Sequence, residues 1–243
     1  MEKIIIDKPH LADTYANKLA IFFKLYETNF PDVNEREDPQ IITDRIKLES
    51  QEKYYPETII ILAVSEDKVT GGTVIEYYPE CQCILLTYIL VDNEFRGRGI
   101  SRFLIEDGIR SVVESKGKDE VKAVFFESNI PEKTVNDSFN PWERFRVFSK
   151  LGAKWIDINY TQPSLGKGRN KVHNLYLLIF PSLTGLKDKI EKSDLISFLE
   201  VFYIALGIPE PDNDTDFREM TASIKERSGD NCIQLKNLPE NEK

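Results

Sequence analysis

The sequence predicts an α/β fold in which helices flank a β-sheet, followed by a helical extension at the C-terminus. Two observations lead to this prediction. Patterns typical of strands and of helices follow one another along the first 181 residues, and after Pro181 the apolar spacing becomes purely helical. We therefore divide the chain of 243 residues into a domain over 1–181 and an extension over 182–243.

The first part of the chain is predicted to form one short strand and two helices. The apolar run at 3–6 indicates the strand, and apolar residues at every third or fourth position across 11–29 indicate an amphipathic helix. The polar segment 30–40 is bounded by prolines and predicts a loop. A second helix is expected from about residue 39 to 50.

The middle of the chain changes to a strand pattern. Residues 58–66, 71–79 and 83–91 are rich in β-branched and aromatic side chains and are separated by turn residues. They predict three consecutive strands, which most simply form an antiparallel meander. Helical spacing then returns over 100–113, and Gly117 stands where a helix C-terminus favours glycine.

The remaining elements are a strand, a helix, two further strands and two C-terminal helices. In order, they cover residues 121–128, 141–152, 153–160, 172–180, 193–207 and 215–229. The broad apolar face of the helix over 193–207 must pack against another surface. That surface is the domain itself, a second copy in a homodimer, or a cleft that the helix would cap.

Composition limits the partners of the chain. The formal net charge of −9 argues against nucleic acid and anionic membranes. The N-terminus lacks the basic flank and apolar core of a signal peptide, and no apolar run approaches the roughly 18 residues that cross a bilayer. We therefore expect a cytoplasmic protein. Its three cysteines fit reduced thiols, and the Cys81–Cys83 pair lacks neighbouring ligands for a metal.

Residues 94–101 read EFRGRGIS and lie between a predicted strand and a predicted helix. Two glycines separated by one residue let backbone N–H groups turn toward a shared point. The following helix adds the positive end of its dipole. With Arg96 and Arg98 they predict a phosphate or pyrophosphate site; the alternative is a tight turn whose arginines face solvent. A dinucleotide fingerprint would need glycine where Arg102 stands, and the sequence has no P-loop pattern.

This loop and the order of elements resemble the GNAT N-acetyltransferase superfamily over about residues 3–180. The acyl-CoA-binding motif of that superfamily, R/Q-x-x-G-x-G/A, appears here with serine at the last position. The resemblance implies a mixed, mostly antiparallel twisted sheet flanked by helices, and acetyl-CoA as co-substrate without a metal. It implies that backbone amides of one strand and the loop bind acetyl-CoA, through Leu90, Val91, Arg96, Gly97, Arg98, Gly99, Ile100 and Ser101.

A second stretch, RVFSKLGAKW at 146–155, resembles a later motif of the same superfamily. Leu151 and Gly152 match it, but Phe148 stands at the position of a tyrosine that is thought to protonate the leaving thiolate in many members. Phenylalanine has no proton to donate. This role is therefore vacant or belongs to another group.

Acyl transfer to an amine needs a neutral nucleophile, a polarised thioester carbonyl and a route for the proton. Glu127 is the leading candidate base, because a carboxylate at the end of the apolar strand VFFES would have a raised pKa. The alternative is a glutamate that pairs with Arg144 or Arg146. Glu76 is a weaker candidate for the same task.

For the acid, Tyr88 and Tyr160 are candidates, although a tyrosine in such a strand is more often a packed aromatic, and water can serve instead. In the superfamily, the region after the first helix lies over the acceptor site. Four acidic residues there would attract a cationic amine, unless they only form a solvated loop: Asp32, Glu35, Glu37 and Asp38.

The sequence thus predicts an N-acetyltransferase that moves an acetyl group from acetyl-CoA to a primary amine within a ternary complex. The amine belongs to a small molecule or a peptide. The alternative is a non-catalytic acyl-CoA-binding sensor or scaffold, favoured by Phe148. Transfer of a longer acyl chain is a more remote possibility.

Overall fold

The computed structural model describes residues 1–31, 36–47, 53–117, 120–134, 139–165, 169–227 and 230–241. The described residues contain nine strands, which form one sheet. Numbered along the chain, they are β1 (Glu2–Ile6), β2 (Glu57–Ser65), β3 (Lys68–Tyr78), β4 (Cys83–Val91), β5 (Ala123–Asn129), β6 (Lys154–Ile156), β7 (Leu175–Ile179), β8 (Lys189–Glu191) and β9 (Cys232–Lys236). Across the sheet, their order is β1-β2-β3-β4-β5-β7-β6-β9-β8.

The pairing of β4 with β5 is the one parallel contact in this otherwise antiparallel sheet. The predicted meander of β2, β3 and β4 is confirmed. The ladder between β4 and β5 ends where Leu86 pairs with Phe126, although β4 continues to Val91 and β5 to Asn129. Beyond that pair, the two strands leave a gap in the middle of the sheet.

A β-bulge lies in β4 at the start of this gap. Tyr88 pairs with Val74 of β3 and Leu86 pairs with Ile75, so Thr87 is the extra residue. A bulge shifts the alternation of side chains by one position. Leu86 and Tyr88 therefore enter different core clusters, on opposite faces of the sheet.

Helices cover both faces. One face carries a continuous helix made of α4 (Ile100–Arg102), a π-helical segment (Phe103–Ile109) and α5 (Arg110–Lys116), and it also carries α6. The other face carries two groups of helices side by side, with the gap between β4 and β5 near their border. The remaining bounds are α1 (Pro9–Thr14), α2 (Ala16–Asn29), α3 (Pro39–Lys47), α6 (Pro141–Lys150), α7 (Lys192–Ala205) and α8 (Thr215–Glu226).

Three expectations about the elements need correction. The helix expected over 11–29 is two helices, because the backbone turns out of helical geometry at Tyr15, with ψ at 21°. The strand expected over 153–160 covers only β6, since the chain leaves the sheet after Ile156. The extension is not purely helical: β9 enters the sheet between β6 and β8. A strand of three residues, such as β6, is too short to display a period of two.

The C-terminal helices pack on their own sheet. The apolar side of α7 is buried against β4, β5 and β7 in a cluster that includes Leu195, Phe198 and Phe202. Phe198 stacks on Phe125 of β5 with ring centroids 4.2 Å apart. Within the described part of the chain, no helix is both long enough and apolar enough to span a lipid bilayer.

Candidate active site

The loop after β4 has the backbone conformation that its glycines predicted. Gly97 and Gly99 have φ angles of +78° and +79°, in the left-handed region that favours glycine. A helix begins at Ile100, and the Phe103 N–H donates to the Gly99 carbonyl over 3.0 Å. The backbone N–H groups of 97–99 donate to no described residue. They therefore remain available for an anion at the helix start.

This loop forms one wall of a cavity of about 540 Å³, which we call the loop cavity. Strand β4 from Leu86 to Val91 forms a second wall, and helix α6 forms a third. Seven of the eight residues predicted to bind acetyl-CoA line this cavity: Leu90, Val91, Arg96, Gly97, Gly99, Ile100 and Ser101.

The two loop arginines differ in position. Arg96 lines the loop cavity, where its guanidinium donates to the Asn29 side chain over 3.0 Å and lies 5.1 Å from the ring centre of Phe139. The guanidinium of Arg98 lies over the ring of Phe95, also at 5.1 Å, and Arg98 is not among the residues that line the cavity. Arg96 is thus the better placed of the two to contact a ligand there.

Phe148 lines the loop cavity from α6. Its ring packs edge-on against Phe126 of β5 at a centroid distance of 4.8 Å. The position that carries a tyrosine in many members of the superfamily is therefore close to the reacting end of the gap, but here it presents only carbon. The helix that holds it is capped by Asn140, whose side chain accepts from two backbone N–H groups.

A second cavity of about 220 Å³ lies on the other face of the gap. We call it the carboxylate cavity after Glu37, Glu76 and Glu127, which line it. Phe202 and Leu206 of the C-terminal extension complete its wall. Five residues line both cavities, so the two spaces meet at the gap between β4 and β5: Phe30, Thr87, Tyr88, Glu127 and Arg144.

Glu127 is a half-buried carboxylate with no cationic partner among the described residues. The Tyr160 hydroxyl donates to its Oε1 over 2.5 Å, and the Gln162 side-chain amide donates to its Oε2 over 2.6 Å. Neither Arg144 nor Arg146, both described, forms an ion pair with it, so the structure does not contain the pairing considered above. Burial raises the pKa of Glu127 to about 7, against the opposing effect of these two hydrogen bonds.

The other two carboxylates of the cavity share one arginine. Arg45 of α3 contacts Glu37 over 2.5 Å and Glu76 over 3.1 Å. Glu76 also accepts from the Tyr78 hydroxyl over 2.7 Å. Burial raises the pKa of Glu76, and the charge of Arg45 opposes this effect. Glu76 is thus engaged in a structural network, which makes it a poorer base than Glu127.

The acidic segment after α2 is only partly described. Glu37 lines the carboxylate cavity, whereas Asp38 accepts from the Gln40 backbone N–H over 2.7 Å at the start of α3. Asp32 and Glu35 lie outside the described residues. Of the two acids that can be placed, one therefore faces the cavity and the other caps a helix.

Two hydroxyl groups belong to residues at the meeting point of the cavities. The Tyr88 hydroxyl accepts from the Glu37 backbone N–H over 3.2 Å, its ring packs against Tyr26 and Phe30, and burial raises its pKa. The Thr87 Oγ1 atom is buried and has no hydrogen-bond partner among the described residues. A buried hydroxyl without a partner is destabilising by about 1–3 kcal/mol. Thr87 is therefore a candidate for a functional role.

The sequence indicated Glu127 and the loop but missed several residues of this site. Arg45 gave no signal, because one arginine in an amphipathic helix is ordinary. Gln162 lies in the linker between β6 and β7, and its side-chain amide donates a hydrogen bond to Glu127. Tyr160 was considered as an acid and is instead a hydrogen-bond donor to the proposed base.

The sheet opens between two parallel strands beside a loop with free backbone amides at a helix start, as the resemblance to the GNAT superfamily implied. Residues 19–132 match the model of the acetyltransferase (GNAT) family. Enzymes of this family use acetyl-CoA as acetyl donor. No group of three or more potential metal ligands occurs in the part of the chain that the structure describes.

Solved structures of GNAT proteins share this fold. An acetyltransferase of the GNAT family from Bacteroides thetaiotaomicron is 13% identical, with 74% of this chain and 86% of that chain covered, at a TM-score of 0.51. The ribosomal-protein-S18-alanine N-acetyltransferase from Escherichia coli is also 13% identical, with 74% and 93% covered, at a TM-score of 0.45. No curated protein sequence matches the chain significantly.

Proposed function

We propose that this protein transfers an acetyl group from acetyl-CoA to a primary amine, directly and within a ternary complex. The observation that carries this proposal is Glu127, a half-buried carboxylate with a pKa raised to about 7 that lines both cavities. Acetyl-CoA occupies the loop cavity, with its pyrophosphate on the amides of 97–101 and its thioester at the gap. The amine approaches from the carboxylate cavity on the opposite face.

Glu127 acts as the general base in this scheme. An amine arrives mostly as an ammonium ion, which has no lone pair for attack. A carboxylate with a pKa of about 7 is substantially ionised at neutral pH yet basic enough to accept a proton. Tyr160 and Gln162 hold its two oxygens and keep it oriented toward the gap. Proton loss to solvent regenerates it after each turnover.

The thioester carbonyl and the leaving sulfur need their own partners. Backbone amides of β4 near Leu90 and Val91 would polarise the carbonyl, as the family resemblance implies. For the sulfur, we assign the proton transfer to the Thr87 hydroxyl. Rotation about its Cα–Cβ bond exchanges the hydroxyl with the methyl group and gives the unpartnered Oγ1 access to the cavities. Tyr88 is the alternative donor, although its raised pKa makes it a weak acid.

The protons balance as follows. Glu127 takes one proton from the ammonium ion, and the free amine attacks the thioester carbon. As the C–S bond breaks, nitrogen gives its second proton to Thr87 Oγ1 while that hydroxyl gives its own proton to sulfur. The products are the N-acetylated amine and coenzyme A as thiol, and the released proton leaves Glu127 for solvent.

The test combines binding and turnover. Acetyl-CoA should raise the melting temperature of the purified protein, because it binds only the folded state, whereas ATP and NAD at equal concentration should not. Thiol release with a panel of primary amines should then detect transfer. Binding without turnover of any amine would favour the alternative of a non-catalytic acyl-CoA sensor, which the missing tyrosine at Phe148 supports.

A further inference from the structure

The carboxylate cavity is less acidic than its glutamates suggest. Three carboxylates line it, but so do three guanidinium groups, those of Arg45, Arg144 and Arg169. Arg45 neutralises much of the charge of Glu37 and Glu76, and the pKa of Glu127 leaves that group partly protonated at neutral pH. A cavity with this balance does not select a polycation.

Arg169 differs from the other two arginines. It forms no ion pair with any acidic residue that the structure describes, and its guanidinium donates only to the Arg36 carbonyl, over 3.3 Å. Arg169 is half-buried at the cavity, and a guanidinium in this position forms strong bidentate hydrogen bonds with an incoming oxyanion. Arg169 thus has the chemistry of a carboxylate receptor.

The chain connects Arg169 to the proposed base. Gln162 and Val172 form an isolated bridge through two backbone hydrogen bonds of 2.9 and 3.1 Å. Arg169 lies in the connection between Gln162 and Val172, which this bridge closes. At the start of that connection, the Gln162 side-chain amide donates a hydrogen bond to Glu127. The same connection therefore carries Arg169 and the hydrogen-bond partner of Glu127, and both charged residues line the carboxylate cavity.

The size and the polar lining of the cavity agree with a compact acceptor. Its volume is about 220 Å³, below the roughly 300 Å³ at which pockets for drug-sized ligands begin. Asn170 and Asn174 add amide groups, and the Ser128 hydroxyl, also at the cavity, has no hydrogen-bond partner among the described residues. These features fit a small polar molecule better than an aminoglycoside.

We propose that the acceptor is a small amino acid, whose amine faces Glu127 and whose carboxylate binds Arg169. This inference rests on the proposed function and narrows the acceptor to amines that carry an oxyanion. It replaces the cationic acceptor that the acidic sequence at 31–38 suggested. The positive group of the ligand then faces the Glu127 carboxylate and its negative group faces the Arg169 guanidinium, neither of which has an ionic partner among the described residues.

The test compares matched acceptors that differ only in the anionic group. For each of several side chains, kcat/KM is measured for the α-amino acid, its amide and its decarboxylated amine. The wild-type protein should prefer the amino acid at least tenfold. Arg169→Gln should remove this preference by raising KM for the amino acid, with little change for the amine, and Arg169→Lys should restore part of it. Arg218→Gln, at an exposed arginine of α8, should alter neither.

The outcomes separate this inference from the proposed function. Equal or faster turnover of the amide or the amine by the wild-type protein would overturn the amino-acid proposal and leave the transferase intact. If no amine is turned over, calorimetric titration of amino acids into the protein saturated with coenzyme A still decides the matter. Binding that Arg169→Gln abolishes would support the site, and absence of binding would overturn it.

Discussion

The two cavities of this protein are built in different ways. Most of the loop cavity comes from two short runs of chain, 86–91 and 96–102, and from one side of α6. The carboxylate cavity gathers residues from Phe30 to Leu206, on three helices, four strands and several connections. One site is mainly local and uses backbone groups; the other is assembled by the whole fold and uses paired side chains.

This difference shows which properties of the two cavities depend on a short stretch of chain and which depend on the whole fold. Backbone N–H groups at a helix start bind an anion whatever the neighbouring side chains are, so a loop motif can be reused in many proteins. The charges of the carboxylate cavity acquire their properties only through burial and mutual contact. Glu127 lines both cavities, so it lies between the cavity built mainly from local backbone groups and the cavity built from paired side chains.

The largest expected effect separates catalysis from cofactor binding. We expect Glu127→Gln to lower kcat by about 100-fold to 1000-fold, because general base catalysis contributes about 10²–10⁴-fold. Affinity for acetyl-CoA, measured by calorimetry, should change less than threefold, since the pyrophosphate site is elsewhere in the loop cavity. Glu132→Gln changes an exposed glutamate just after β5 and serves as control. Unaltered kcat in Glu127→Gln would contradict the assignment of the base.

A substitution in the loop should weaken the binding of acetyl-CoA and leave the carboxylate cavity unchanged. Valine at Gly99 would have to adopt a φ of +79°, which is destabilising by about 1–3 kcal/mol. We expect Gly99→Val to raise the Kd for acetyl-CoA about tenfold as the loop relaxes. Gly185→Val is the matched control, because Gly185 has a φ of +78° but lines neither cavity. A similar loss of acetyl-CoA affinity in both variants would show that general destabilisation is the cause.

Loss of the Thr87 hydroxyl, at the point where the two cavities meet, should lower kcat. We expect Thr87→Val to lower kcat about tenfold while Thr87→Ser retains most of it, since one proton relay step is lost in the first variant only. Thr58→Val is a close control, because Thr58 Oγ1 is another buried hydroxyl without a described partner and Thr58 lines neither cavity. If Tyr88→Phe reproduces the loss and Thr87→Val does not, Tyr88 is the proton donor.

The smallest effect is a shift along the pH axis. At saturating substrates, kcat should fall as pH drops below about 7, because protonated Glu127 cannot accept a proton. The Tyr160 hydroxyl stabilises the charged form and lowers the pKa of Glu127. Tyr160→Phe should therefore move the decline of kcat to higher pH, by about one unit. A decline that moves to lower pH would show that the hydrogen bond favours the protonated form.

Much of the fold was predictable because its elements are long and regular. The three strands over 57–91, the helix from Ile100 and strand β5, which contains Glu127, each display a clear period or a clear capping residue. Strand β8 was not predictable, since three residues carry too little pattern, and β9 was missed although its five residues, CIQLK, are as many as those of β1 and β7. The break between α1 and α2 at Tyr15 was missed because both helices continue the same apolar spacing.

The sequence by itself determined the backbone conformation of the loop, since the glycines at 97 and 99 and the helix start after them act through local geometry. It also indicated that Glu127 ends an apolar strand. Only the tertiary structure decided that Tyr160 and Gln162 hold this carboxylate, that Arg45 joins Glu37 to Glu76, and that Arg169 faces the same cavity. These residues are far apart in the chain, and burial alters their energies only after folding brings them together.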